Sequence, residues 1–234
     1  MSEQDGWVKT EEYIEKQFGT KPYRWDGYLN ESGGLEFKSM LQNIAATGNI
    51  TASELYTLAI GEGLYYNHIK TLGYDNNAQV FSFHSLGLDH FYSNLPKLIE
   101  LGYLNSEFNE GDEFTKDELR INESNQIVKP VVFTNLTNAM QAFSAELNWR
   151  RDRLISDANI LNYGLPTADQ LMFWTYVYFQ GMHNGKTLLT ANKGWDYYQL
   201  KLDLSSQNPS SVASKAYRRL VTWEFLKIKQ KWQE

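Results

Sequence analysis

Apolar residues recur along most of the chain at a spacing of three and four, the period of an amphipathic helix. Val8, Tyr13, Ile14 and Phe18 predict a short N-terminal helix. A Gly/Asn-rich loop follows at 28–34. Leu35, Phe37, Met40, Leu41 and Ile44 then mark a second helix, broken by Gly48-Asn49. Thr51 and Glu54 have capping-box spacing, with Ile50 placed as the staple residue before them, so the next helix is predicted over 52–70. A helix over 90–101 should stop at Gly102. The segment 105–118 is acidic and turn-rich and reads as a solvated loop. The segments 119–121 and 127–133 flank a polar stretch and are expected to pair as a small hairpin.

From Leu136 the helical period returns through Met140, Phe143, Leu147 and Leu154, with the helix expected to reach about Asp157. Pro166-Thr167 opens another helix carrying Leu171, Trp174 and Tyr178, followed by a turn over 181–185. A Ser/Asn/Pro linker over 204–211 leads to a last helix. That helix sets Tyr217, Val221, Phe225, Ile228 and Trp232 on one stripe and Lys215, Arg218, Arg219, Lys227, Lys229 and Lys231 elsewhere. Its aromatic stripe is expected to pack on the body of the protein, leaving the cations in water. The pattern predicts a mainly α fold with at most one small β-hairpin.

Composition narrows the function. The chain has 234 residues, 42% hydrophobic and 15% aromatic, which excludes a disordered segment. It has no cysteine, so disulfides, thiolate metal sites and cysteine nucleophiles are excluded. A net charge of −6 gives no global basic field for nucleic acid. No apolar run approaches the roughly 20 residues of a membrane-spanning helix. The first 30 residues are acidic and lack an apolar core, so no secretory signal is expected. Synthesis in the cytoplasm follows, with delivery by another system for any role outside it. His84, Asp89, His90 and His183 have no tight ligand spacing, so neither a metal nor a cofactor is expected.

Two features carry candidate chemistry. Counted at 100° per residue, Glu62 falls on the apolar stripe of Leu55, Leu58, Ala59, Tyr66 and Ile69. A carboxylate on a buried stripe loses hydration, which favours the neutral acid. Such an acid is what glycosidic cleavage needs to protonate the leaving oxygen. Gly61 and Gly63 on either side leave room for a bulky substrate. The structural alternative is a glutamate snorkelling past a helix end or paired with an arginine such as Arg150. The second feature is the aromatic run from Phe173 to Phe179, ending in the polar stretch Gln180-Gly181-Met182-His183-Asn184-Gly185. Rings stack on sugar faces and amides bond hydroxyl and N-acetyl groups; the alternative is that these aromatics are core.

The run Leu55-Tyr56-Thr57-Leu58-Ala59-Ile60-Gly61-Glu62-Gly63-Leu64 resembles the catalytic-glutamate helix of lysozyme-like lytic transglycosylases and goose-type lysozymes, with Gly63 where that family has serine. Tyr178-Phe179-Gln180-Gly181 resembles the later Tyr-Asn-Ala-Gly motif of the same superfamily, which lines the glycan cleft. Ser85-Leu86-Gly87-Leu88-Asp89-His90-Phe91 looks like a segment of lysozyme-like proteins encoded with phage-tail-like contractile injection systems.

The resemblance implies a lysozyme-like helical domain over residues 1–211, with a basic amphipathic helix, 212–234, packed on it. It implies a single-glutamate peptidoglycan glycosidase, muramidase or lytic transglycosylase, with Glu62 as general acid and then base. Tyr178, Gln180, Asp89 and Tyr66 would contact the glycan strand. For Asp89 the alternative is an N-cap of the helix beginning at His90. The rival function is a catalytically silent lysozyme-like component or cargo of a larger, phage-tail-like assembly.

Overall fold

The computed structural model describes residues 3–19, 34–62, 81–82, 95–105, 120–121, 127–128, 132–133, 136–196 and 211–230. Among these the fold is mainly α, with eight helices and two short antiparallel strand pairs. The chain divides into two compact units. One is Tyr28–Asn148; the other joins Met1–Gly27 to Trp149–Glu234.

The 28–148 unit contains α2 (Gly34–Ala45), α3 (Ala52–Gly61), α4 (Leu95–Glu100) and the first half of α5 (Leu136–Ile160), within which the unit boundary falls. Helix α2 buries Phe37, Leu41 and Ile44 and exposes Glu36, Gln42 and Asn43, the one-sided pattern of a surface helix. Its Phe37 ring meets the Tyr56 ring of α3 edge-on, with centroids 5.9 Å apart. The Gly48-Asn49 break is a docking point as well as a turn. The buried Asn148 side chain accepts from the Asn49 N–H and donates to the Ser144 carbonyl at 2.8 Å. A Cβ on Gly48 would lie 2.4 Å from Asn148 Nδ2, so only glycine admits this approach.

The capping box forms as the sequence predicts: Thr51 Oγ1 accepts from Glu54 N, and Glu54 Oε2 accepts from Thr51 N at 2.9 Å. The expected one-sided stripe on α3 does not. Every residue from Ala52 to Ile60 is buried. The polar members are accommodated locally: Glu54 caps, and Thr57 Oγ1 donates to the Ser53 carbonyl at 2.7 Å. The described helix ends at Gly61, and residues 63–70 of the expected helix lie outside the described residues.

Strands β1 (Phe81–Ser82) and β4 (Val132–Phe133) pair antiparallel, as do β2 (Arg120–Ile121) and β3 (Ile127–Val128). The second pair, with Ile121 opposite Ile127, is the expected hairpin. The acidic segment 106–118 lies outside the described residues.

The other unit contains α1 (Glu3–Phe18), the rest of α5, α6 (Ala168–Gln180), α7 (Met182–Ala191) and α8 (Val212–Gln230). Helix α8 packs on both α1 and α6, and α7 packs on α6. Tyr217, Leu220, Val221, Phe225 and Leu226 of α8 are buried, while Ile228 is exposed. The Tyr217 hydroxyl donates to the Phe18 carbonyl, and the two rings meet edge-on. Helix α6 opens with a second capping box, Thr167 with Gln170, and buries every residue from Met172 to Tyr178. The expected turn over 181–185 is a single-residue break at Gly181, after which α7 begins at once.

Three helices stop in the same way. At the end of α4, Tyr103 N–H donates to the Leu98 carbonyl and Gly102 N–H to Ile99, with Gly102 at φ 80°. The ends of α5 and α7 repeat these paired bonds with Asn162 (φ 58°) and Lys193 (φ 53°) in the left-handed position. No helix among the described residues is long and apolar enough to cross a membrane.

Candidate functional site

Glu62 is the C-cap of α3. Its backbone N–H bonds the carbonyls of Leu58 and Ala59, both at 3.1 Å, which fixes where its Cα leaves the helix. The side chain is half-buried, not sealed on a stripe as the helical count predicts. The reason is the burial of α3 on all sides: the count assigns faces to a helix that has no solvent face, and exposure returns only where the helix ends. Gly61 is half-buried as well. Tyr66 and Asp89, expected glycan contacts, lie outside the described residues, as do His84 and His90.

Tyr178 and Gln180 belong to the other unit. Tyr178, expected to line a sugar cleft, has a fully buried side chain. Its hydroxyl donates to Asp157 Oδ2 at 3.3 Å. Burial first, and the negative charge of Asp157 second, push the phenol above its ordinary value, so it keeps its proton. Asp157 is itself 2% exposed and also accepts from Lys186 Nζ at 3.0 Å, with Arg153 Nε at 3.8 Å. Gly185 packs against the Tyr178 ring. Three helices thus meet at one carboxylate: α5 supplies Asp157, α6 supplies Tyr178, and α7 supplies Lys186 and Gly185. A ring with no accessible face cannot stack on a sugar, so Tyr178 holds the α6–α7 corner rather than contacting a glycan.

That corner presents its polar residues outward. Gln180, His183 and Asn184 are exposed, while Phe179 is half-buried. Gln180 is therefore accessible to a ligand, as a glycan-binding amide requires. Among the described residues, no group of three His, Asp or Glu side chains is arranged to hold a metal ion.

Two groupings have no counterpart in the sequence reading. The Asp157 network is one. Tyr178 and Lys186 are 21 and 29 residues from Asp157 and sit on other helices, beyond the reach of any local spacing pattern. The other is at the start of α6, where burial first and the Glu224 charge second hold the Asp169 carboxyl above its ordinary range.

Comparison of the chain with protein-family models, curated proteins and solved structures gives no match.

Proposed function

We propose that the chain cleaves peptidoglycan glycan strands, as a muramidase or lytic transglycosylase, with Glu62 as the general acid and base. The observation that carries this reading is the position of Glu62. It is the carboxylate delivered at the end of a helix buried from Ala52 to Ile60, half-exposed and flanked by Gly61 and Gly63. The helix fixes the Cα, and the glycines remove side-chain obstruction. After glycosidic cleavage the same carboxylate, now ionised, takes a proton from water or from the sugar's own C6 hydroxyl.

A second reading is a catalytically silent lysozyme-like component of a larger phage-tail-like assembly. It is favoured by the burial of Tyr178, which withdraws one of the two resemblance motifs from ligand contact. One experiment separates the two. Purified protein and Glu62→Gln are incubated with isolated peptidoglycan, and released muropeptides are identified by mass spectrometry. Release by the wild type alone supports the enzyme and assigns Glu62. Release by neither favours the silent component, and equal release by both removes Glu62 from the mechanism.

A further inference from the structure

Helix α7 is held differently from its neighbour α6. Of its ten residues only Gly185 and Leu189 are buried, so Leu189 is the one side chain it seals from water. Met182 and Leu188 are half-buried. Helix α6, by contrast, buries every residue from Met172 to Tyr178. The N-cap of α7, Gly181, makes no side-chain capping bond. What fastens the middle of α7 is polar. Lys186 Nζ, on a side chain that is 44% exposed, reaches the buried Asp157 carboxylate of α5 at 3.0 Å. Beyond the end of α7, the buried Trp195 donates its indole N–H to the Gly164 carbonyl, and Gly194 packs against the Tyr163 ring. The helix is strung between two fixed points, Gly181 at the end of α6 and Trp195.

We propose that α7 is a charge-gated helix: it stays docked while the Lys186 ammonium compensates Asp157, and it detaches as a local unit between Gly181 and Trp195 when that charge is removed. A carboxylate kept from water is costly unless a cation answers it, and taking the cation away leaves the cost uncovered. Without Lys186, Asp157 keeps the Tyr178 hydroxyl at 3.3 Å and Arg153 Nε at 3.8 Å, and the Arg153 side chain is itself 56% exposed.

Two movements could bring water to Asp157. Displacing α6 would uncover the seven buried residues from Met172 to Tyr178. Lifting α7 gives up one buried leucine and the packing of Gly185 on the Tyr178 ring. The second is the cheaper, so the charge on Lys186 decides the state of α7 and leaves α6 in place. A helix of ten residues is too short to persist alone in water, so detachment also opens its backbone hydrogen bonds. It uncovers Asp157 and the Tyr178 ring together.

The test is hydrogen–deuterium exchange of the full chain, read at backbone amides 186–191 of α7 and 173–178 of α6. In the wild type the α7 amides should exchange faster than those of α6; equal protection overturns the proposal, and this comparison needs no variant to fold. Lys186→Met keeps the aliphatic stem and loses the charge. There the α7 amides should accelerate by at least about tenfold while those of α6 stay unmoved. The double variant Lys186→Met with Asp157→Asn should exchange more slowly at α7 than Lys186→Met alone, because a neutral amide needs no cation. Unchanged α7 exchange in Lys186→Met, equal acceleration of α6 and α7, or a double variant as fast as the single one overturns the proposal.

Discussion

Gly185→Ala tests whether the corner between α6 and α7 is as tightly built as its geometry indicates. An added Cβ would lie 2.8 Å from Tyr178 Cδ2, 3.1 Å from Cε2 and 3.3 Å from the Tyr178 Cα. The ring cannot swing aside freely, because it is fully buried and its hydroxyl is tied to Asp157. The Cα belongs to a helix and moves only with it. Overpacking costs about 1–3 kcal/mol, and a 2.8 Å contact with a ring held in place falls in the upper part of that range, about 2–3 kcal/mol. Against it stands the helix preference for alanine over glycine, about 1 kcal/mol. The net expectation is a destabilisation of about 1–2 kcal/mol, which for a chain of this size lowers Tm by roughly 2–8 °C. Thermal and urea unfolding of Gly185→Ala against wild type measure it. Gly164→Ala is the control, since a Cβ there meets nothing within 4 Å, and its stability should be unchanged or slightly raised. In a Tyr178→Ala background the ring contacts are gone, so the Gly185→Ala penalty should shrink. A Gly185→Ala protein as stable as wild type would refute the reasoning, because the ring and the helix would then have room that the packing denies.

Other outcomes follow from the same contacts. Glu62→Gln should keep the fold and reduce muropeptide release by roughly 10²–10⁴-fold, the usual worth of a general acid. Thr51→Ala and Thr167→Ala each remove a side-chain acceptor from a capping box and should cost about 1 kcal/mol in urea unfolding. Tyr178→Phe removes one hydrogen bond from Asp157 and leaves Lys186 in place, so a loss of about 1 kcal/mol is expected. A loss several times larger would mean that the phenol anchors the whole three-helix junction.

What the sequence disclosed depended on how local the determinant was. The capping box of Thr51 and Glu54 and the pairing of the hairpin each rest on residues a few positions apart, and each stands where its residues put it. The stop at Gly102 was legible because glycine marks the left-handed position. The equivalent stops at Asn162 and Lys193 were not, because only the chain's return bonds reveal them. The expected turn over 181–185 failed for a related reason: two glycines suggested a loop, yet Gly185 is a helical residue kept small by the Tyr178 ring. At the candidate site, the helix leading to Glu62 was legible, but its exposure was not. A helical count supposes one wet face, and α3 has none. The burial of Tyr178 was hidden because its partners, Asp157 and Lys186, come from other helices.

The union of α1 and α8 in one unit has a consequence for synthesis. Phe18 and Tyr217, joined through hydroxyl and carbonyl, are 199 residues apart. A ribosome adds about 5–20 residues per second, so α1 emerges roughly 10–40 s before its packing partner exists. The 28–148 segment is contiguous and can begin to fold within that interval. The earliest helix of the chain therefore joins its packed structure among the last, with the apolar side chains of Ile14 and Phe18 uncovered by α8 in the meantime. In a cell, that interval is when α1 is open to chaperones and to premature association with neighbouring chains.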